Sequence, residues 1–182
     1  VYKALDLLGN QADQVQMVMI SVDPERDTPA VLANPDKSIL YVLAGILFWF
    51  MAQNALETGL SSFAVFSLGI EPGSASIYAS VMTVSFIIFS VPSGLIAQRI
   101  GRRRTITIGI SGMVLLFALA FFIISNAVTL IIVLLFGGFF WALINVNSLP
   151  LVYDYGDERR IGAYTGLYYF ASQSASVLGP TL

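Results

Sequence analysis

The chain of 182 residues contains no cysteine and no histidine. Those absences remove disulfides, thiolate chemistry, imidazole general-base catalysis, haem ligation and the common zinc sites. Charge is also scarce. Only 11% of residues are charged, where a soluble domain carries about a quarter. The chain therefore has too few charges to cover a water-soluble globule. Its formal net charge is −2, so no bulk attraction to nucleic acid is expected. What is abundant is apolar sequence, 57% of the chain.

The few charges are unevenly placed. Residues 1–37 hold Lys3, Arg26 and Lys37 together with six of the eleven acids. Beyond them, the charges fall mainly in two clusters: Arg99, Arg102, Arg103 and Arg104, then Asp154, Asp157, Glu158, Arg159 and Arg160. Only Glu57 and Glu71 lie elsewhere in that region. Long apolar stretches separate the clusters. A membrane crossing takes roughly 20 mostly apolar residues, and on that measure the chain divides into five spans, at about 39–60, 75–97, 105–125, 128–153 and 162–182. The last is rich in Ser, Tyr and Gly and is the weakest by hydropathy. The first apolar stretch runs on to Ile70, too long for one straight crossing, so a bend near Gly59, Ser61 and Ser62 or a tilted helix is expected. Glu71-Pro72-Gly73 and Ser125-Asn126 mark turns.

Basic residues flanking membrane helices favour the cytoplasmic side. If residues before Ile39 are cytoplasmic, Lys37, the four arginines 99 to 104, Arg159 and Arg160 all fall inside, and the outer loops carry no Lys or Arg. The expected location is the cell membrane, with a cytoplasmic N-terminus. A signal peptide is not expected, because the N-terminus lacks a basic start followed by an apolar core.

Residues 1–37 read differently. Val1 to Leu8 fits a short amphipathic helix, Val15 to Val22 a buried strand, and Asp27-Thr28-Pro29 a helix start. This is soluble α/β material. The string ISVDPERDTP resembles a stretch of the Sco/SenC copper chaperones, which have a thioredoxin-like fold. Copper binding in that family needs a Cys pair and a His, and this chain has neither. The segment is read either as a cytoplasmic lead-in or as one part of a chimera joined near Ala30–Ala33.

The loop Gly94 to Thr105, GLIAQRIGRRRT, resembles the G-x-x-x-D-R-x-G-R-R/K loop of the major facilitator superfamily, with Gly94, Arg99, Gly101, Arg102 and Arg103 in place. Gln98 stands where that family has Asp, which puts a charge lock through that position in doubt. Glycine suits the tight turn, and the arginines suit pairing with helix-end carbonyls or neighbouring acids. The stretches ANPDKS, FWFMAQNALET, ALINVNSLPLVYD and ERRIGAYTGLYYFASQSASVLGP resemble the second half of sugar/cation symporters, the glycoside–pentoside–hexuronide or sucrose/proton symporter-like branch. That resemblance maps the five spans onto the seventh through eleventh helices of a twelve-helix carrier. The first half and the last helix would then be missing.

Candidate polar sites follow from the residues. Glu57 is an acid within the first span, and Gln53 and Asn54 lie four and three positions before it. That spacing predicts one helical face. A carboxylate beside amides suits a sugar hydroxyl or proton exchange, although Glu57 could equally be solvated at the headgroups. In the fourth span Trp141, Asn145 and Ser148 share a face, with Asn147 pointing away and Pro150 freeing a backbone carbonyl. An aromatic beside amides suits a sugar ring; the alternative is interhelical hydrogen bonding. Asp154 with Arg159 and Arg160 is the candidate gate ion pair. Gly162-x-x-x-Gly166, Ser172, Ser174, Ser176 and Ser90-x-x-x-Gly94 suit close packing, and Tyr164, Tyr168 and Tyr169 suit interface anchoring, with cavity lining as the alternative.

The expectation is an all-α polytopic membrane bundle of about five transmembrane helices with a short soluble α/β-like N-terminal fragment. Its expected role is secondary active transport of a sugar or similar polar solute coupled to H⁺ or Na⁺, by alternating access. Partners would be that solute, the coupling ion, membrane lipid and the first half of the carrier. No enzymatic chemistry, cofactor, metal or nucleic acid is expected. The alternatives are a non-transporting membrane scaffold, or a remnant of a copper-chaperone-like protein fused to membrane helices.

Overall fold

The computed structural model describes residues 37–155 and 161–181, and every regular element among them is helical. The helix, strand and turn expected before residue 37 lie outside the described residues. In order, the elements are α1 (Lys37–Leu68), α2 (Pro72–Ile100), α3 (Arg102–Ile123), α4 (Ala127–Tyr155) and α5 (Ile161–Leu178), closed by a 3₁₀ turn at Gly179–Thr181.

Local chemistry sets the helix ends. Gly69 takes φ 65°, a left-handed conformation that closes α1 at little cost to glycine. Pro72 then occupies the first turn of α2, where its missing N–H costs nothing. One residue, Gly101, separates α2 from α3. Its φ of 89° lets the chain reverse there, while its N–H donates to the Ala97 carbonyl at 2.9 Å and its carbonyl accepts from Thr105 N at 3.1 Å. Asn126 caps α4: its Oδ1 accepts from Thr129 N at 3.0 Å, and Thr129 Oγ1 in return accepts from Asn126 N at 3.2 Å.

Four helices, over residues 38–68, 72–100, 102–123 and 127–154, are long and apolar enough to cross a membrane. α1 is one uninterrupted helix of 32 residues, about 48 Å long. It exceeds the roughly 30 Å hydrocarbon thickness, and tilt rather than a helix break fits that excess. α5 forms where the fifth span is expected but falls short in apolarity. Its polar side chains explain this: Tyr164, Tyr168 and Ser172 are buried against the other helices.

α4 is the central helix. It packs chiefly on α2 and α3, while α1 packs chiefly on α5. One apolar cluster joins Leu60 and Ala64 of α1, Met82 of α2, and Leu130, Leu134, Trp141 and Ile144 of α4. A second, nearer the α1 start, joins Ile39, Leu43 and Ile46 with Val152, Tyr164, Tyr168 and Ala171. Outward faces stay apolar: Phe66 is 87% exposed, Phe121 84% and Phe122 82%. Water would penalise such a belt, whereas lipid accommodates it.

Small and hydroxyl residues carry the α2–α4 seam. Gly138 lies so close to α2 that an added Cβ would meet the Met82 carbonyl oxygen and stand 2.6 Å from Ser85 Cβ. Ser85 Oγ donates to the Leu135 carbonyl at 2.6 Å. Farther along, Ser93 Oγ donates to the Ala142 carbonyl at 2.8 Å and accepts from Asn147 Nδ2 at 2.9 Å. The Gly162-x-x-x-Gly166 pattern does not act this way. A Cβ on either glycine, or on Gly94, would meet nothing within 4 Å. Spacing alone does not make a contact; a facing helix must be present.

Candidate functional site

Gln53 and Glu57 stand one turn apart on α1, and Gln53 Nε2 donates to Glu57 Oε1 at 2.8 Å. The same nitrogen lies 3.8 Å from Met82 Sδ of α2. Gln53 is buried and Glu57 exposed. Glu57 lies 20 residues beyond Lys37, about 30 Å along the helix. Asn54 does not join them. Its Nδ2 donates to the Phe50 carbonyl at 2.7 Å, and its Cβ packs beside Gly179 at the end of α5. The three-residue spacing puts Asn54 on the flank of that face, and the α5 terminus draws it the other way.

On α4, Trp141 and Ser148 are buried and Asn145 is half-buried. Trp141 meets Phe50 of α1 edge to face, with centroids 5.2 Å apart, and Phe50 meets Tyr168 of α5 at 6.3 Å. Ser148 Oγ donates to the Asn145 carbonyl at 2.7 Å and lies 3.0 Å from the Tyr168 hydroxyl. An aromatic row with the Ser148 and Tyr168 hydroxyls at its end thus links three helices. The Asn145 side-chain amide makes no hydrogen bond among the described residues. Asn147 faces the other way, into the α2 seam, as its spacing predicts.

Tyr168 therefore belongs to the interior, as does Tyr164, against the favoured reading of both as interface anchors; Tyr169 is exposed. A tyrosine buries well where its hydroxyl finds a partner, and Ser148 supplies one for Tyr168. No sequence signal identified that partner, because Ser148 and Tyr168 are 20 positions apart.

At the arginine end, Arg102 pairs with Asp154, joining the start of α3 to the end of α4. Arg159 and Arg160, the expected partners of Asp154, lie outside the described residues. Arg102 and Asp154 border a hollow of about 410 Å³ between α2 and α4, also lined by Gly94, Gln98 and Gly101. That ion pair ties the start of α3 to the end of α4.

A cleft of about 650 Å³ lies between α1, α3 and α4. Gln53 and Trp141 reach it; Asn54, Glu57, Asn145 and Ser148 do not line it. Its other walls include Phe48, Trp49, Leu56, Met113 and Phe117. No group of three or more acids that could hold a metal occurs among the described residues.

Long apolar helices around a polar seam, with cations gathered at helix ends, have the length and composition of an integral membrane bundle. A family model described as Major Facilitator Superfamily matches residues 19–180, and the chain belongs to that family. The match begins within the N-terminal segment, ahead of the first membrane helix. No curated protein and no solved structure matches the chain.

Proposed function

We propose that this bundle forms part of a secondary active carrier for a small polar solute, a sugar being the best chemical fit, coupled to H⁺ or Na⁺. The observation that carries the reading is the stripe of Trp141, Asn145 and Ser148 on α4, with Trp141 against Phe50, Ser148 against Tyr168, and the Asn145 amide making no hydrogen bond among the described residues. An open amide offers both donors and an acceptor to a hydroxylated ligand. The neighbouring ring face suits the apolar side of a sugar. Glu57, which accepts a hydrogen bond from Gln53, is the acid this reading assigns to the coupling ion. The arginine loop and the N-terminus lie on the cytoplasmic side in this reading, and the carrier resides in the cell membrane.

The test is uptake into proteoliposomes by the carrier containing this bundle, with labelled hexoses, pentoses and disaccharides, under imposed proton or sodium gradients. Asn145→Ala should raise the half-saturating solute concentration at least tenfold. Glu57→Gln should abolish gradient-driven accumulation while leaving solute exchange measurable. Unchanged uptake in both variants refutes the proposed site. Cysteines introduced at Gln98 and Ser125, labelled by a membrane-impermeant reagent in intact cells, test orientation: only Ser125 should react from outside.

A further inference from the structure

Pro150 stands inside α4. It has no N–H, so the Val146 carbonyl loses the donor it would meet four residues on. Around that gap, side chains load the same ladder. Asn147 Nδ2 donates to the Leu143 carbonyl at 3.0 Å, Ser93 Oγ to the Ala142 carbonyl at 2.8 Å and Ser148 Oγ to the Asn145 carbonyl at 2.7 Å. Side chains that bond helix carbonyls compete with the backbone N–H groups and loosen the helix. Asn145 stands in this loosened stretch, and its side-chain amide makes no hydrogen bond among the described residues. An amide without a bond of its own is aimed by the backbone that carries it. We propose that Tyr168 of α5 and Ser93 of α2 are positioning residues for Asn145: they clamp this stretch of α4 from two sides and so set the affinity for the solute. The inference rests on the solute site proposed above and adds two residues that need not touch the solute.

Chemistry fixes the direction of both clamps. A carbonyl only accepts, so Ser148 gives its single hydroxyl hydrogen to Asn145. The Tyr168 hydroxyl, 3.0 Å away, is then the donor to Ser148 Oγ. One chain therefore runs from Tyr168 through Ser148 to the Asn145 carbonyl, from α5 into α4. On the other side, Ser93 gives its hydrogen to the Ala142 carbonyl. It therefore accepts from Asn147 Nδ2 at 2.9 Å. The second chain leaves α4 at Asn147, passes through α2 and returns to α4 at Ala142. Asn145 lies between those two points.

Burial makes the clamps effective. Ser93, Asn147, Ser148 and Tyr168 are all buried, so water does not compete for their bonds, and a low local dielectric strengthens them. Phe50 meets the Tyr168 ring edge to face and meets Trp141 in the same way. The tyrosine is thus held at its ring as well as at its hydroxyl. Trp141 and Ser148 flank Asn145 along α4, so a shift of this stretch moves the amide relative to both.

The first test needs no solute. The chain has no cysteine, so Asn145→Cys takes a single spin label in the full chain, reconstituted in lipid. Adding Tyr168→Phe or Ser93→Ala should increase the label's mobility. Adding Asn126→Ala, which removes the cap at the far end of α4, should not. Unchanged mobility with both Tyr168→Phe and Ser93→Ala, or an equal increase with Asn126→Ala, overturns the proposal. The second test is sugar uptake by the carrier containing this bundle, with labelled glucose, xylose and sucrose as probes. Tyr168→Phe should raise the half-saturating concentration about fivefold, the weight of one hydrogen bond, with the maximal rate little changed. In an Asn145→Ala background the same substitution should add nothing, because the clamp acts through that amide. If Asn145→Ala weakens uptake but Tyr168→Phe does not, or if the two effects multiply, the positioning role is refuted and the solute site stands. If Asn145→Ala itself changes nothing, the solute site falls and this proposal with it.

Discussion

Gly138→Ala adds one methyl group at a point where α2 and α4 nearly touch. The new Cβ would meet the Met82 backbone carbonyl and stand 2.6 Å from Ser85 Cβ and 2.8 Å from Ser85 Oγ. Two opposing effects follow. Alanine favours a helix interior over glycine by about 1 kcal/mol. Overpacking a tight contact costs about 1–3 kcal/mol, and backbone cannot swing aside as a flexible side chain can. Separating the helices would also stretch the bond from Ser85 Oγ to the Leu135 carbonyl, now 2.6 Å, and interhelical hydrogen bonds in membranes contribute about 0.6 kcal/mol on average. The packing cost wins, leaving a net loss of about 1–2 kcal/mol. For a chain of this size that lowers the melting temperature by about 2–8 °C. The assay is thermal unfolding in one detergent, followed by circular dichroism at matched protein concentration. Gly59→Ala is the internal control: a Cβ there meets nothing within 4 Å, so only propensity acts and stability should rise by up to about 1 kcal/mol. If Gly138→Ala melts at or above the unaltered chain while Gly59→Ala behaves as stated, the close α2–α4 approach is wrong.

Gly101→Ala forces a side chain onto φ 89° and should cost at least about 1 kcal/mol, read as a lower melting temperature; no change would remove the strained-turn argument. Asn147→Leu removes the bond to Ser93 Oγ and should cost about 1–2 kcal/mol, whereas Asn145→Leu, with no side-chain bond to lose among the described residues, should cost less; the reverse order refutes the assigned faces. Tyr168→Phe leaves Ser148 without its partner across the α4–α5 contact and should cost about 1 kcal/mol. A double-mutant cycle on Arg102→Gln and Asp154→Asn should return a coupling of only about 0.2–1 kcal/mol, because both side chains are about half exposed; a value several times larger would mean the pair is shielded from solvent.

How much of this was legible beforehand depends on whether the cause is local. The existence and order of the helices followed from apolar run length, since a lipid-spanning segment must satisfy its own backbone. The helix reversals followed from Gly101, Pro72 and Asn126, whose chemistry acts within a few residues. The opposite facing of Asn147 and Ser148 followed from helical period alone. Asn54 was placed with Glu57 by that same period, and the end of α5 decided otherwise. The packing role expected of Gly162 and Gly166 failed because nothing faces them among the described residues. The close approach at Gly138, which no spacing pattern marks, arises because Ser85 stands opposite.

The amino-acid sequence by itself determined that these segments are helices in lipid, and that the cations gather at one end, because hydropathy and turn chemistry are properties of neighbouring residues. Only the tertiary structure decided that Asp154 meets Arg102 and that Tyr168 turns inward to Ser148. Those pairings join residues 20 to 52 positions apart, and only the packing of whole helices brings such residues together.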